Sequence, residues 1–347
     1  MTQQTAKADS LRAQINLPAG GLLAELRTAA RQGDSRAKAL LAERLLTRPP
    51  CDLEEGTSWA VSGAADGNGD AAHIAALLSA WGLGLPQDWK RALEYLQIAA
   101  SAGHHTDTRV LAALAGAWDL ALENPGRAFS AEQCARLRAQ IRIDELLQLP
   151  PVRMVSNSPR IALMEGFLAP GACNWLIARA QPHLQRAKVY DPSTGAEASS
   201  IRTNTEFHIG TFESDLIVML LQQRIAALTG VPLPGMEACT ILHYAPGEEF
   251  KRHYDWFDIS TAENARIVAA EGQRVMTFLI YLNDGYNGGE TEFPHLGQRF
   301  RGRKGDALMF WNINPDFSPD TQTLHAGLPP ITGEKWLFSQ WIRARRP

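Results

Sequence analysis

The chain has 347 residues, 45% hydrophobic and 20% charged, with a net charge of −3 at neutral pH. That length holds two domains with ordinary cores, and the charge balance offers no basic footprint for nucleic acid or an anionic membrane. No apolar run reaches the roughly 18 residues of a transmembrane helix. The opening M-T-Q-Q-T-A-K-A-D-S-L-R has no apolar leader core, and Cys51, Cys134, Cys173 and Cys239 are too scattered for a disulfide framework or a zinc site. A reduced, cytoplasmic protein is expected.

Residues 1 to 17 are polar and read as a loose lead-in. From Gly20 to Gln148 the apolar residues keep helical spacing, as in Leu23, Leu26, Ala29 and Ala30, then Leu40, Leu41, Leu45 and Leu46. Ala-Ala pairs at 29/30, 64/65 and 99/100 recur every 35 residues, followed by Gly33, Gly67 and Gly103. Trp59 and Tyr95 precede the second and third pairs at nearly the same offset. Such a period predicts stacked helix pairs, with small residues where helices approach and Gly ending a helix. The stretch from Ala71 to Gly103, with its G-x-G-x-x-x-D-x-x-x-A core from Gly82 to Ala92, resembles the Sel-like branch of tetratricopeptide repeats. Trp81, Trp89 and Tyr95 read as helix-packing residues. The resemblance implies a concave face for a peptide or protein partner, or else a helical cap on the next domain.

Asn124-Pro125-Gly126 predicts a turn, Ser130 to Leu147 a further amphipathic helix, and Pro150-Pro151 its stop. The boundary is set there, giving a helical-repeat domain over 1–150 and a second domain over 151–347. In the latter, helices are expected at Gly171 to Ala180 and Ser214 to Thr229, with a Gly/Ser/Pro loop at Asp191 to Ser200 between them. Strands are expected at 238–244, 275–282, 291–293, 298–303, 307–311 and 336–343. Many short strands with turn signals predict a β-sandwich or barrel, with the two helices against its outer face.

His253 and Asp255 stand two residues apart in H-Y-D, so an extended segment points both to one face. An imidazole and a carboxylate converging this way are two thirds of a facial triad for non-haem Fe(II). Among the later histidines, His325 in T-L-H-A-G precedes the last strand and is the best third ligand; His208, His243 and His295 fit less well. Ten residues on, Lys335 opens an apolar strand, where its ammonium either snorkels from the strand end or, if buried, meets the carboxylate of a bound dianion.

From Pro159 to Trp341 the chain resembles the prolyl 4-hydroxylase family of Fe(II)- and 2-oxoglutarate-dependent oxygenases. The collinear pieces are P-R-I-A-L-M-E-G-F-L, R-T-N, Y-A-P-G-E-E-F-K-R-H-Y-D, Q-R-V-M-T-F-L-I-Y-L-N-D-G-Y-N-G-G-E-T-E-F-P, G-D-A-L-M-F-W and H-A-G-L-P-P-I-T-G-E-K-W. The resemblance implies an α+β chain whose C-terminal part is a double-stranded β-helix, a cupin-like jelly-roll buttressed by helices. It implies His253, Asp255 and His325 as metal ligands. It implies Lys335, Tyr244 and Thr291 as contacts to 2-oxoglutarate, and Arg274, Arg202 and Trp341 as substrate contacts; Arg274 reads equally as a salt-bridged strand start. Fe(II), 2-oxoglutarate and dioxygen are the implied cofactors, with ascorbate as an accessory; no side-chain acid or base is required. Leu328-Pro329-Pro330 departs from the family's usual Pro-Val after H-A-G, and Asp258 to Gln273 reads as a mobile or helical insert beside the site.

The leading function is hydroxylation of proline or a related imino acid, within a peptide or protein that the repeats help to hold. The alternative substrate is a free cyclic amino acid such as proline or pipecolate in a biosynthetic pathway. A non-catalytic interaction protein is disfavoured by the intact triad with Lys335, and a zinc hydrolase by the H-x-D pattern.

Overall fold

The computed structural model describes residues 19–123, 126, 128–187, 201–210 and 212–345. The lead-in at 1–17, the loop at Asp191 to Ser200 and most of the Asn124-Pro125-Gly126 turn lie outside the described residues. The chain divides into two compact units, Met1–Ile143 and Asp144–Pro347. None of the described helices is long and apolar enough to cross a membrane.

The first unit is helical: α1 (Ala19–Arg31), α2 (Ser35–Thr47), α3 (Leu53–Ala65), α4 (Gly69–Trp81), α5 (Trp89–Ser101), α6 (His105–Leu114), α7 (Trp118–Glu123) and α8 (Ala131–Gln140). Its period is written in the caps. Gly33, Gly67 and Gly103 take φ of +92°, +79° and +82°, a left-handed turn that ends one helix. The next residue, Asp34 or Asn68, caps the following helix by accepting backbone N–H groups, and His104 holds the same N-cap place in the third repeat. Ala30, Ala64, Ala99 and Ala100 are buried, which lets neighbouring helices approach closely, and Tyr95 is buried with them. The helix expected over Ser130 to Leu147 is instead broken. Ile141 is extended and buried, and a separate turn, α9 (Ile143–Leu146), follows. Two β-branched residues flank Arg142, so local helix propensity is weak where burying Ile141 demands an extended backbone.

The second unit contains strands β1 (Arg153–Asn157), β2 (Arg160–Met164), β3 (Gln185–Arg186), β4 (Thr205–Ile209), β5 (Cys239–Tyr244), β6 (Phe250–His253) and β7 (Gln273–Tyr281). These are followed by β8 (Asn287–Gly288), β9 (Thr291–Phe293), β10 (Gln298–Phe300), β11 (Ala307–Trp311), β12 (His325–Gly327), β13 (Pro330–Thr332) and β14 (Lys335–Ala344). The order β1-β2-β11-β7-β14-β5-β4-β3 makes the large sheet and β10-β9-β12-β6 the small one, while β13 pairs with β8. Every pairing between these strands is antiparallel.

Period-2 alternation turns Leu242 and Tyr244 of β5, Leu279 and Tyr281 of β7, and Leu308 and Phe310 of β11 to one face. There they form a single core with Phe293 of the small sheet. Two sheets closed over a shared core in this order form the jelly-roll. The intervening residues of β7 and β14, such as Phe278, Ile280 and Phe338, are also buried, on the outer face. Helices α10 (Pro170–Ala180) and α11 (Leu216–Thr229) belong to that side. Gln222 of α11 donates to Gln340 of β14 at 2.9 Å, and Asp215 caps α11 while accepting from Trp175 of α10. Between Asp258 and Gln273 the chain forms α12 (Ala262–Glu271), capped by Thr261.

Candidate active site

The small sheet carries the chemistry at its edge. The β6–β12 register sets His253 directly opposite His325. Strand β6 ends at His253, so Asp255 sits in the bend just beyond it and not on the same strand, yet its carboxylate still turns back between the two rings. Asp255 Oδ1 lies 3.5 Å from His253 Nε2, and Asp255 Oδ2 3.6 Å from His325 Nε2. Each imidazole uses its other nitrogen on a backbone carbonyl, Nδ1 of His253 on Lys251 O at 2.7 Å and Nδ1 of His325 on Thr323 O at 3.0 Å. A carbonyl only accepts, so Nδ1 carries the proton and both Nε2 lone pairs face the carboxylate. Two neutral imidazole nitrogens and one carboxylate, mutually within 4.8 Å, can hold a divalent transition metal.

The surroundings favour an ionised Asp255 and a neutral His325. Burial raises the Asp255 carboxyl, but His325, His253 and the Thr277 hydroxyl outweigh it and hold it below the ordinary range. Burial and the neighbouring His253 push His325 down to about 4, against Asp255. Phe250 stacks on His253 with ring centroids 3.5 Å apart, and Phe293 and Phe310 pack around His325.

A narrow cavity of about 40 Å³, partly open to solvent, runs from this triad into the sheet core. Tyr244, Thr291 and Lys335 stand together on its wall with the triad. Lys335 is fully buried, and its Nζ has no hydrogen-bond partner among the described residues. Burial pushes its pKa down to about 7, with Glu290 opposing. An isolated ammonium in such a place is costly and matches a carboxylate brought by a ligand. Burial raises Tyr244 to about 12, so its hydroxyl stays a donor. Tyr281 gives its proton to Phe300 O at 3.1 Å, which makes Thr291 the donor in its 3.2 Å contact with Tyr281.

The expected substrate contacts separate. Arg202 and Trp341 line the cavity mouth, while the Arg274 guanidinium does not reach it. Arg274 is held by Glu237 at 2.7 and 2.8 Å and lies 3.6 Å from the Trp341 ring centroid. Arg202 is itself paired, with Glu206 at 2.6 Å and Asn204 at 3.0 Å. Three other histidines stand apart: His243 meets Glu334, His208 meets Glu206, and His295 is exposed. A second convergence, His73, His104 and Asp107, lies in the helical unit. There both Nδ1 atoms sit 2.9 Å from Asp107 Oδ2, so hydrogen bonding to a buried carboxylate accounts for it.

The profile of the 2OG-Fe(II) oxygenase superfamily matches residues 239–343, which hold the triad and Lys335. A probable prolyl 4-hydroxylase 3 of Arabidopsis thaliana is 34% identical over 213 residues, 54% of this chain and 71% of that relative. The chain belongs to the prolyl 4-hydroxylase family of 2OG-Fe(II) oxygenases. Prolyl 4-hydroxylase 1 of the same plant is 34% identical over 218 residues, 58% of this chain and 75% of that protein. The solved 2OG complex of the viral collagen prolyl hydroxylase from Paramecium bursaria Chlorella virus-1 is 26% identical, covering 53% of this chain and 96% of that one, with a TM-score of 0.43. This oxygenase is an enzyme that uses Fe(II), 2-oxoglutarate and dioxygen.

One contributor carries no motif signal: Thr277, whose hydroxyl donates to Asp255 Oδ2 at 2.6 Å. Phe250, the ring beneath His253, is the aromatic of the Y-A-P-G-E-E-F-K-R-H-Y-D piece that carries the resemblance. A polar residue in the apolar run Q-R-V-M-T-F-L-I-Y was the available hint for Thr277.

Proposed function

We propose that this oxygenase hydroxylates prolyl residues within a polypeptide, with iron held by His253, Asp255 and His325 and 2-oxoglutarate anchored by Lys335. One observation carries the choice of substrate. Among the described residues lining the cavity, Lys335 is the cation without an anionic partner, and it sits beside Tyr244 and Thr291 at the co-substrate end. At the mouth, Glu206 already neutralises Arg202, and behind Trp341 Glu237 neutralises Arg274. A free imino acid brings a carboxylate that needs a charged clamp, whereas an internal prolyl residue presents neutral carbonyls. Two satisfied arginines therefore favour the peptide.

Iron, 2-oxoglutarate and dioxygen supply the oxidising power for C–H hydroxylation, with the 2-oxo acid leaving as succinate and carbon dioxide. The chain's own part is positional. The Nδ1 bonds to Lys251 O and Thr323 O fix which imidazole nitrogen faces the metal. The Lys335 ammonium and Tyr244 hydroxyl would receive one carboxylate of the co-substrate in a buried place, where charge-assisted hydrogen bonds are strong. Trp341, braced by Arg274, gives the mouth a flat apolar wall on which a pyrrolidine ring can rest.

The test is mass spectrometry on acetylated, amidated proline peptides beside free proline and pipecolate, all with Fe(II), 2-oxoglutarate and air. Addition of one oxygen atom to the capped peptides supports the proposal. Oxygen added to the free imino acids alone sinks it. In the same proposal the helical repeats hold the polypeptide, stacked helix pairs being a common peptide-binding form. Equal KM values for long proline-rich chains and short capped peptides would remove that second element.

A further inference from the structure

We propose that Asn312 and Thr277 form a positioning relay that fixes the rotation of the Asp255 carboxylate, so that Oδ1 is the oxygen left free for iron. The proposal rests on the metal-site reading above. Thr277 stands on β7 at 1% exposure and donates to Asp255 Oδ2 at 2.6 Å. Asn312, fully buried, follows directly on β11 and places Nδ2 3.0 Å from Thr277 Oγ1. Its backbone is clamped on both sides, N to Val275 O at 2.9 Å and O from Asp320 N at 3.0 Å.

The direction of these bonds follows from valence. A carboxylate that binds a metal is ionised and accepts only, so Thr277 must spend its single proton on Asp255. Whatever else touches Thr277 Oγ1 must then donate to it, and of the Asn312 side chain only the NH2 can. The amide thus occupies the acceptor side of the hydroxyl and leaves Asp255 as the direction for its proton. Asn312 is not on the cavity wall. Neither substrate nor co-substrate contact explains a buried amide here, and its one side-chain hydrogen bond among the described residues ends on the group that holds the ligand.

The test is a double-mutant cycle on the full chain, with Fe(II) affinity measured anaerobically against a competing chelator. Thr277→Val should raise the Fe(II) dissociation constant about 10- to 100-fold, the usual cost of losing an outer partner of a metal ligand. Thr277→Ser should restore most of the affinity. Asn312→Ala should weaken binding in the wild-type background and add nothing to Thr277→Val, because it acts through that hydroxyl. Additive losses, or unchanged affinity in a folded Thr277→Val protein, would overturn the relay. A purely structural role lowers the melting temperature and leaves the dissociation constant of the folded fraction where it is. If Thr277→Val does not fold, Asn312→Ala in the wild-type and Thr277→Ser backgrounds carries the argument, and unchanged affinity in both overturns it. An Asp255→Ala protein that binds Fe(II) like wild type would remove the metal-site reading itself. Loss there with no effect at Thr277 removes the relay alone.

Discussion

Lys335 and Tyr244 stand opposite one another across β14 and β5, with the ammonium 5.2 Å from the centre of the phenol ring. The ring shields a charge that has no hydrogen-bond partner among the described residues. This pair marks one end of the cavity, and the triad marks the other contact a chelating dicarboxylate needs.

Replacing Lys335 should therefore separate stability from function. Lys335→Met removes an unpaired buried cation, so the ligand-free protein should melt a few degrees higher by calorimetry. Affinity for 2-oxoglutarate should fall by about 2–5 kcal/mol, the range for losing one partner of a buried charge pair. Unchanged affinity in the Fe(II)-loaded protein would mean that the carboxylate binds elsewhere.

Acidity at Lys335 gives a pH signature. Burial takes its pKa from 10.5 down to about 7. Between those values the unfolded chain carries a proton that the ligand-free native site lacks, so stability contributed by this group rises with pH across that window. In the proposed function, co-substrate binding draws on the ammonium. Above pH 7 binding should take up a proton, and affinity should weaken as pH climbs. Calorimetry in buffers of different ionisation enthalpy measures the uptake, and Lys335→Met should abolish it. Equal uptake in both proteins would assign the proton to another group.

Hydroxyl donors should rank in a definite order. Tyr244 has no competing acceptor for its proton among the hydrogen bonds described, whereas Thr291 already donates to Tyr281. Tyr244→Phe should raise KM for 2-oxoglutarate about tenfold or more, consistent with a hydrogen bond to a charged group. Thr291→Val should raise it less. The reverse order would indicate that Thr291 is the principal donor.

Much of this site was legible in the sequence because its parts are local motifs. His253 and Asp255 are neighbours in one triplet, while His325 and Lys335 were assigned through the collinear motifs that carry the family resemblance. What escaped is long-range. The Thr277–Asp255 bond spans 22 residues, and it depends on how the chain returns through α12 into β7. Arg274 carried two expectations, a substrate contact from its motif position and a salt-bridged strand start, and the second is what the Glu237 pairing matches. Its actual partner, Glu237, is 37 residues away with no motif signal, so the guanidinium is consumed before it reaches the cavity. The broken helix at Ile141 has a related cause, since burial of one side chain overrode an amphipathic pattern that continued past it.

Charge pairing at the mouth also predicts how specificity can be moved. Glu206→Gln removes the anionic partner of Arg202, which keeps Asn204 and the face of the Phe250 ring, and frees its positive charge. The variant should gain activity on peptides ending in a carboxylate-bearing proline relative to capped ones, measured as the ratio of kcat/KM. An unchanged ratio would show that Arg202 does not face the substrate.

The central claim is that oxygen from dioxygen is inserted into a prolyl residue at the His253, Asp255 and His325 site. The most direct measurement is mass spectrometry of a capped proline peptide after reaction under isotopically labelled dioxygen. The account predicts one labelled oxygen in the peptide, a matching one in succinate, and neither in Asp255→Ala protein. Succinate formed without label in the peptide, or label retained in the Asp255→Ala reaction, would contradict it.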